Sequence, residues 1–287
     1  MKEALYYEAA EKGKVKCLLC PKGCIVLEDK FGVCGVRENI AGKFYTLVYE
    51  KPISVHIDPI EKKPLYHFHP GSKILSVGTY GCNLKCEFCQ NYDISQEFDA
   101  DDFNVIENIK PELIVAMCKE RDLKFIAFTY NEPTVFYEYM LDIAKLCKKN
   151  DIKTVVVSNG QINEKPLNEL IEYIDAFNID LKAFNKDFYT KICKGDIETT
   201  KRTLEIICEK KKHLEVTFLL IEGLNDNENE FLQMCDFIKS LGEDVVFHIS
   251  RAFPRYKMNF NITPLTLLDK FSKIAKSKIK NVYMGNV

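Results

Sequence analysis

Cys82, Cys86 and Cys89 lie in the run Gly-Cys-Asn-Leu-Lys-Cys-Glu-Phe-Cys-Gln, a C-x3-C-x2-C spacing with Phe88 just before the last thiol. Three thiolates this close in sequence can hold three irons of a [4Fe–4S] cluster, whose electron-transfer forms use four cysteine ligands. Three ligands leave one iron open, and an open coordination position marks a catalytic rather than a structural metal site. Half of a zinc knuckle is the alternative, but a fixed three-cysteine spacing is far more specific than a lone C-x-x-C. A second set, Cys17, Cys20, Cys24 and Cys34, has the compact spacing C-x2-C-x3-C-x9-C. Four closed thiolates suit structural zinc or an auxiliary iron–sulfur cluster, and the spacing does not choose between them.

The elements that position these residues follow from hydrophobic periodicity. Strand patterns are expected over 74–80, 124–130, 153–158, 176–181, 214–221 and 245–249, with one more over 281–285. Helical patterns, with apolar residues three and four apart, separate them over 111–121, 134–149, 165–174, 198–211, 228–241 and 264–277. Repeated strand–helix units imply a parallel sheet with right-handed crossovers. Near-continuous apolar strands such as Thr-Val-Val-Val and Phe-Leu-Leu-Ile imply burial on both faces. A barrel and an open doubly wound sheet both satisfy this, and both place chemistry at the C-terminal ends of the strands. The polar residues gather there: Asn131 and Glu132 after the second strand, Ser158 and Asn159 after the third, Asp180 and Lys182 at the fourth. The cysteine loop follows the first strand at the same end. Residues 1–70, rich in Cys, Gly, Lys and Pro, read as a small metal-stapled extension with a hairpin over 43–49 and 53–57; residues 71–287 read as the α/β domain.

Composition limits the function classes. The chain has 287 residues and a formal net charge of -2, which argues against a strongly basic nucleic-acid binder while leaving a local patch open. No apolar run is long enough to span a bilayer, and the acidic N-terminal residues lack the apolar core of a signal peptide. A cytoplasmic protein without membrane association is expected. Twelve cysteines in such a chain point to metal chemistry rather than to a disulfide framework.

Taken together, these stretches resemble radical S-adenosylmethionine (SAM) enzymes of the branch that includes the glycyl-radical-enzyme activases, and within it the radical SAM member of the AmmeMemoRadiSam system. The resemblance rests on the cysteine motif and on Cys-Leu-Leu-Cys-Pro-Lys-Gly-Cys at 17, Gly-Val-Cys-Gly-Val-Arg-Glu-Asn at 32 and Asp-Pro-Ile-Glu-Lys-Lys-Pro-Leu at 58. It continues with Cys-Gln-Asn-Tyr-Asp-Ile-Ser-Gln at 89, Thr-Tyr-Asn-Glu-Pro-Thr at 129 and His-Ile-Ser-Arg-Ala-Phe-Pro at 248, and so covers nearly the whole chain. It implies a partial (β/α)6 TIM-like barrel of the radical SAM type with the Cys-rich extension at its N-terminus. Cys82, Cys86 and Cys89 would hold the [4Fe–4S] cluster, and Phe88 would shield it near the adenine. Thr129 to Pro133 occupies the place of the family's Gly-Gly-Glu motif, which supports the methionyl amino group; Thr129, Asn131 and Glu132 are the site residues there, with Tyr130 and Asn131 replacing the glycines. Ser158 and Asn159 match positions that help hold SAM. Asp180 and Lys182 match an Asp-x-Lys motif at the methionyl carboxylate or at a monovalent cation beside it. His248 is a further cofactor-binding candidate, and with Arg251, Arg255 and Tyr256 it is a candidate contact for an anionic substrate group; pinning of the 250–258 loop is the alternative.

The reaction implied is reductive cleavage of SAM to methionine and a 5′-deoxyadenosyl radical, which abstracts hydrogen from a substrate that the sequence does not identify. An activase resembling the pyruvate formate-lyase activating enzyme is one alternative, a nucleotide- or RNA-modifying enzyme another. An electron donor such as flavodoxin or ferredoxin is an expected partner. The subgroup's name implies partnership with Memo-type and AMME-type proteins. Activases with extra clusters carry those cysteines after the radical SAM motif, whereas here they precede it.

Overall fold

The computed structural model describes residues 1–99 and 101–287. Its centre is an eight-stranded sheet whose spatial order follows the chain: β1 (Ser54–Pro59), β2 (Lys73–Gly78), β3 (Phe125–Phe128), β4 (Lys153–Ser158), β5 (Ala176–Asp180), β6 (His213–Leu220), β7 (Val246–Arg251) and β8 (Asn281–Gly285). Strands β2 to β8 are all parallel, and β1 adds antiparallel to β2. No ladder joins β1 to β8 among the described residues, so the barrel is partial. Parallel neighbours need crossovers, which the helices α1 (Pro111–Glu120), α2 (Tyr137–Lys149), α3 (Glu164–Leu170), α4 (Ile197–Glu209), α5 (Glu228–Leu241) and α6 (Leu265–Lys276) supply. None of the helices is long and apolar enough to cross a membrane.

The two faces of each strand have different partners. Val216, Phe218 and Leu220 of β6, Phe177 and Ile179 of β5, and Phe247 and Ile249 of β7 belong to the core shared with Ile143, Leu204, Phe231 and Leu268 of the helices. The alternate residues face the barrel interior. Its lower part is a second apolar cluster in which Ile60, Leu65 and Phe68, from the segment between β1 and β2, meet Ile74, Phe125, Val155 and Ala176. That segment is fixed by polar contacts as well. Asn178 Nδ2 donates to the Pro64 carbonyl at 2.8 Å, and the Tyr66 and His67 N–H groups donate to the Glu215 carboxylate at 2.9 and 2.8 Å. With one end plugged, the free space lies toward the C-terminal ends of the strands.

The N-terminal extension forms two small antiparallel sheets, one of Tyr7–Ala9, Val15–Cys17 and Ile25–Val26, the other of Lys2–Glu3, Lys43–Thr46 and Arg37–Ile40. The hairpin expected between 43–49 and 53–57 does not form. Lys43–Thr46 pairs with Arg37–Ile40, and Ser54–Pro59 pairs with Lys73–Gly78 as the sheet edge. The edge of β2 carries unpaired backbone groups, and β1 satisfies them. The extension is anchored on α2 by a buried ion pair, Arg37 Nη2 to Glu138 Oε2 at 2.6 Å, with the Leu5 N–H on the other Glu138 oxygen at 2.7 Å.

Candidate active site

The three cysteines sit in the loop that leaves β2, and its neighbours hold that loop rigidly. Asn131 Nδ2 donates to Thr79 Oγ1, Tyr80 O and Gly81 O at 3.2, 3.1 and 2.9 Å, while Asn131 Oδ1 accepts from the Thr79 N–H at 3.1 Å. Gln96 Nε2 reaches Leu84 O at 3.1 Å, and the Lys257 N–H reaches Glu87 O at 3.0 Å. Gly81 has φ +96°, and a Cβ there would lie 2.7 Å from Val36 Cγ1 and 2.9 Å from Cys34 O. Only glycine lets the cysteine loop and the N-terminal extension approach this closely.

Cys82, Cys86, Phe88 and Cys89 line one cavity of about 520 Å³, within the usual range for small-molecule sites. Thr129, Asn131, Glu132, Ser158, Asn159, Asp180 and Lys182 line the same cavity. Glu132 is fully enclosed and ties two strand ends together. Its carboxylate accepts from the Thr134 N–H at 2.9 Å, from Ser158 Oγ at 2.8 Å and from the Asn159 N–H at 2.8 Å. Burial raises its pKa, and these hydrogen bonds oppose that rise. Asn159 Nδ2 then reaches Asn83 Oδ1 at 3.0 Å and Cys82 Sγ at 3.7 Å. Lys182 Nζ lies 2.9 Å from Asp180 Oδ2. Burial disfavours its charge, but Asp180 and the thiols of Cys86 and Cys193 hold its pKa well above the ordinary lysine value.

The three thiols carry raised pKa values. For Cys82 and Cys89 the main cause is burial; for Cys86 it is the neighbouring Cys193 thiol, followed by burial. Such thiols are poor free nucleophiles. A bound metal supplies the positive charge that deprotonates them, so the donor set fits ligation. Among the described residues no three His, Cys, Asp or Glu side chains gather as ligands of a single ion.

His248 lies elsewhere. It is buried inside the barrel, with Nε2 2.5 Å from Glu215 Oε2 and its ring in a cluster with those of Tyr66 and Tyr283. It does not line the cavity, and it helps fix the segment that plugs the barrel. Arg251, Arg255 and Tyr256 are also outside the cavity lining. Arg251 Nε donates to Thr263 O at 2.8 Å, Arg255 lies over the Tyr92 ring, and Tyr256 stacks on Tyr92, so these side chains pin the loop after β7.

A polar group not singled out from the sequence forms another wall of the cavity. Asp58 Oδ2 receives Lys63 Nζ at 2.8 Å, Tyr130 OH at 2.8 Å and Ser76 Oγ at 3.0 Å. Burial would raise the Asp58 pKa, but these three donors hold it far below the usual carboxylate range. Burial lowers that of Lys63 and, with Asp58, pushes Tyr130 up to about 12. Tyr130 has φ +74°, the left-handed conformation usual for glycine, and its hydroxyl contact with Asp58 helps hold it there. The Asp-Pro-Ile-Glu-Lys-Lys-Pro-Leu stretch was the available signal, but sequence does not say which of its charges turn inward.

A family model described as the Radical SAM superfamily matches residues 76–238 of this chain. The chain is 40% identical over 290 residues to an uncharacterized protein of Methanocaldococcus jannaschii, covering 100% of this chain and 86% of that one. It is 23% identical over 184 residues to a pyruvate formate-lyase-activating enzyme of Staphylococcus epidermidis, covering 60% of this chain and 71% of the relative. Its fold is similar to the crystal structure of a radical SAM methyltransferase from Sphaerobacter thermophilus, with a TM-score of 0.56 and 16% identity over 76% of this chain and 67% of that one.

Proposed function

Because this chain belongs to the radical SAM superfamily, and is thus an enzyme whose family uses a [4Fe–4S] cluster and SAM, we propose that Cys82, Cys86 and Cys89 hold that cluster at the cavity described above. With both groups bound and one electron delivered to the cluster by an external reductant, they would supply a 5′-deoxyadenosyl radical, with methionine as the leaving group, able to take a hydrogen atom from the substrate. The observation that carries the reading is the meeting of the three thiols with Ser158, Asn159, Asp180 and Lys182 around one cavity at the C-terminal ends of the strands.

The residues divide the work by position. The Leu84 N–H, 3.4 Å from Cys82 Sγ, and Asn159 Nδ2 offer donors to a thiolate. Lys182 presents a cation to the methionyl carboxylate, and Asp180 orients that cation. Glu132 keeps the ends of β3 and β4 in register, so that Ser158 and Asn159 meet the cofactor. Phe88 and Leu84 keep water from the cluster side. The substrate binds against the wall of Asp58, Lys63 and Tyr130, where paired charges offer both a donor and an acceptor.

Two finer readings concern the substrate. Similarity to a pyruvate formate-lyase-activating enzyme favours an activase acting on a partner protein. A nucleotide substrate loses the support of Arg251 and Arg255, which are engaged with Thr263 and Tyr92. Relation to the AmmeMemoRadiSam system rests on the sequence stretches quoted above.

We also propose that Cys17, Cys20, Cys24 and Cys34 hold a second metal centre. They line a small cavity of about 20 Å³ together with Arg37. The Arg37 side chain is 1% exposed; Nη2 is on Glu138 and Nε on Val135 O, yet Nη1 has no partner. A buried donor without an acceptor is costly, and a metal-bound thiolate is such an acceptor. Zinc, a single ion, would need these side chains to draw closer together than they stand, and metal analysis of the purified protein tells it apart from an iron–sulfur cluster.

The test is anaerobic reconstitution with iron and sulfide, followed by SAM and dithionite. Wild-type protein is expected to form 5′-deoxyadenosine and Cys86→Ala none. Equal product from both would overturn the assignment of Cys86.

A further inference from the structure

The wall of the cavity built around Asp58 contains an amine that the proposed cluster and SAM site leaves unused. Lys63 follows β1 through a short helical turn, Ile60–Lys62, and its N–H donates to Ile60 O at 2.9 Å. Ile60 and Leu65 on either side are fully buried in the lower apolar cluster, so packing of this segment fixes where Lys63 stands. The Lys63 side chain is 5% exposed, yet it lines the cavity. Its Nζ lies 2.8 Å from Asp58 Oδ2 and 4.4 Å from the centre of the Tyr130 ring. Asp58 is held in turn by Tyr130 OH at 2.8 Å and Ser76 Oγ at 3.0 Å. Lys62 also lines the cavity, with Nζ 3.6 Å from Asp58 Oδ1 and a side chain that is 68% exposed. Burial lowers the Lys63 pKa and the Lys62 charge adds to that, against the pull of Asp58. A buried ion pair is often no more stable than well-packed apolar side chains of similar volume. Stability alone therefore does not account for an ammonium at a cavity wall.

We propose that Lys63 is the point of covalent attachment for the substrate: its Nζ forms an imine with a small carbonyl compound that carries a carboxylate, in the simplest case a 2-oxo acid. This deepens the reading of the Asp58 wall as the substrate side of the cavity and rests on it. Lysines that form imines are desolvated or stand next to another cation. A nucleophile in contact with a carboxylate that a third group orients is the general arrangement for covalent catalysis. Lys63, Lys62, Asp58 and Tyr130 supply each of these parts. In the reaction the nitrogen attacks the carbonyl carbon, the C–O bond breaks, and the oxygen leaves as water with two of the three ammonium protons. The third proton stays on the iminium nitrogen, and no electrons are gained or lost. Asp58, kept ionised by its three donors, faces the iminium cation. The exposed Lys62 offers a charge to the substrate carboxylate. Attachment at this wall holds the substrate in one geometry relative to the cysteine side of the same cavity.

The experiment incubates the anaerobically reconstituted full chain with limiting glyoxylate and sodium cyanoborohydride, which reduces an imine to a stable secondary amine. Peptide mass spectrometry then locates the product. Glyoxylate is expected to label Lys63 ahead of its neighbour Lys62 and of Lys124, both 68% exposed. The label is expected to be lost from that position in Lys63→Arg, which keeps the cation but not the nucleophile. Acetaldehyde, with a methyl group in place of the carboxylate, is expected to label wild-type Lys63 less than glyoxylate does, and Lys62→Ala to remove that preference. Labelling of Lys63 no greater than that of Lys124 would overturn the proposal, and the wild-type peptide map decides this even where Lys63→Arg does not fold. Equal labelling of Lys63 by the two aldehydes would contradict the carboxylate-bearing class of substrate. The same preparation is assayed for 5′-deoxyadenosine with SAM and dithionite. Product formed without an adduct at Lys63 defeats this inference alone. An adduct at Lys63 in a protein that cleaves SAM no better than Cys86→Ala defeats the cluster assignment and leaves this one standing.

Discussion

Glu132 shows how single atoms determine the site. One oxygen accepts from the Thr134 N–H and Ser158 Oγ, the other from the Asn159 N–H. Glu132→Gln would turn an NH2 group toward the Asn159 N–H and set two donors against each other in a buried place. Such an unsatisfied pair costs about 1–3 kcal/mol. The expected outcome is a lower melting temperature and weaker SAM binding, read by calorimetry on reconstituted protein; unchanged affinity would mean that Glu132 does not set the position of Asn159. At this scale the residues whose spacing chemistry fixes, the cysteine trio and Asp180 with Lys182, do come together around one cavity. Asp58 was not singled out because residue type does not say which charge of an edge strand turns inward, and the structure places His248 on Glu215 inside the barrel rather than in the cavity lining.

The helices and parallel strands were legible because apolar residues repeat over ten or more positions or fill short runs. Turns of three to five residues carry no such repeat, so Lys186–Phe188 and the π turn after it were missed. The edge strand Ser54–Pro59 was mispaired because a partner across a loop leaves the same local pattern as a hairpin partner. The junction of the cysteine loop with the N-terminal extension yields a prediction for these elements. Gly81→Ala places a Cβ against Val36 and the Cys34 carbonyl at a φ of +96°. The extension must then shift away, at a cost of roughly 1–3 kcal/mol. Thermal denaturation should show the loss, and metal analysis should show less metal retained at the Cys17–Cys34 set. Wild-type stability and metal content would mean that the two elements do not depend on each other.

For the whole molecule, Glu215 joins the barrel wall to the segment that closes its lower end. It accepts from the Tyr66 and His67 N–H groups and pairs with His213 and His248. Burial would raise its pKa, but these four partners lower it from the ordinary 4.5 to about 2. A depressed carboxylate stabilises the fold fully above the unfolded value, and the contribution is lost as pH falls from about 5 toward 2. The shift corresponds to roughly 3 kcal/mol. Glu215→Gln should therefore be less stable than wild type at pH 7, with the difference shrinking across that window in denaturant titrations. A difference independent of pH would show that the charge of Glu215 is not what holds the plug. The plug matters because it leaves a single open end, where the cysteine loop, the polar strand ends and the Asp58 wall meet. The proposed cluster, held by the three cysteines at that end with one iron left open for SAM, is tested by the EPR spectrum of the dithionite-reduced, reconstituted protein before and after SAM is added. A changed spectrum in the wild type, with no such cluster signal in Cys86→Ala, is the predicted result. A cluster present at full occupancy whose spectrum is indifferent to SAM would contradict it.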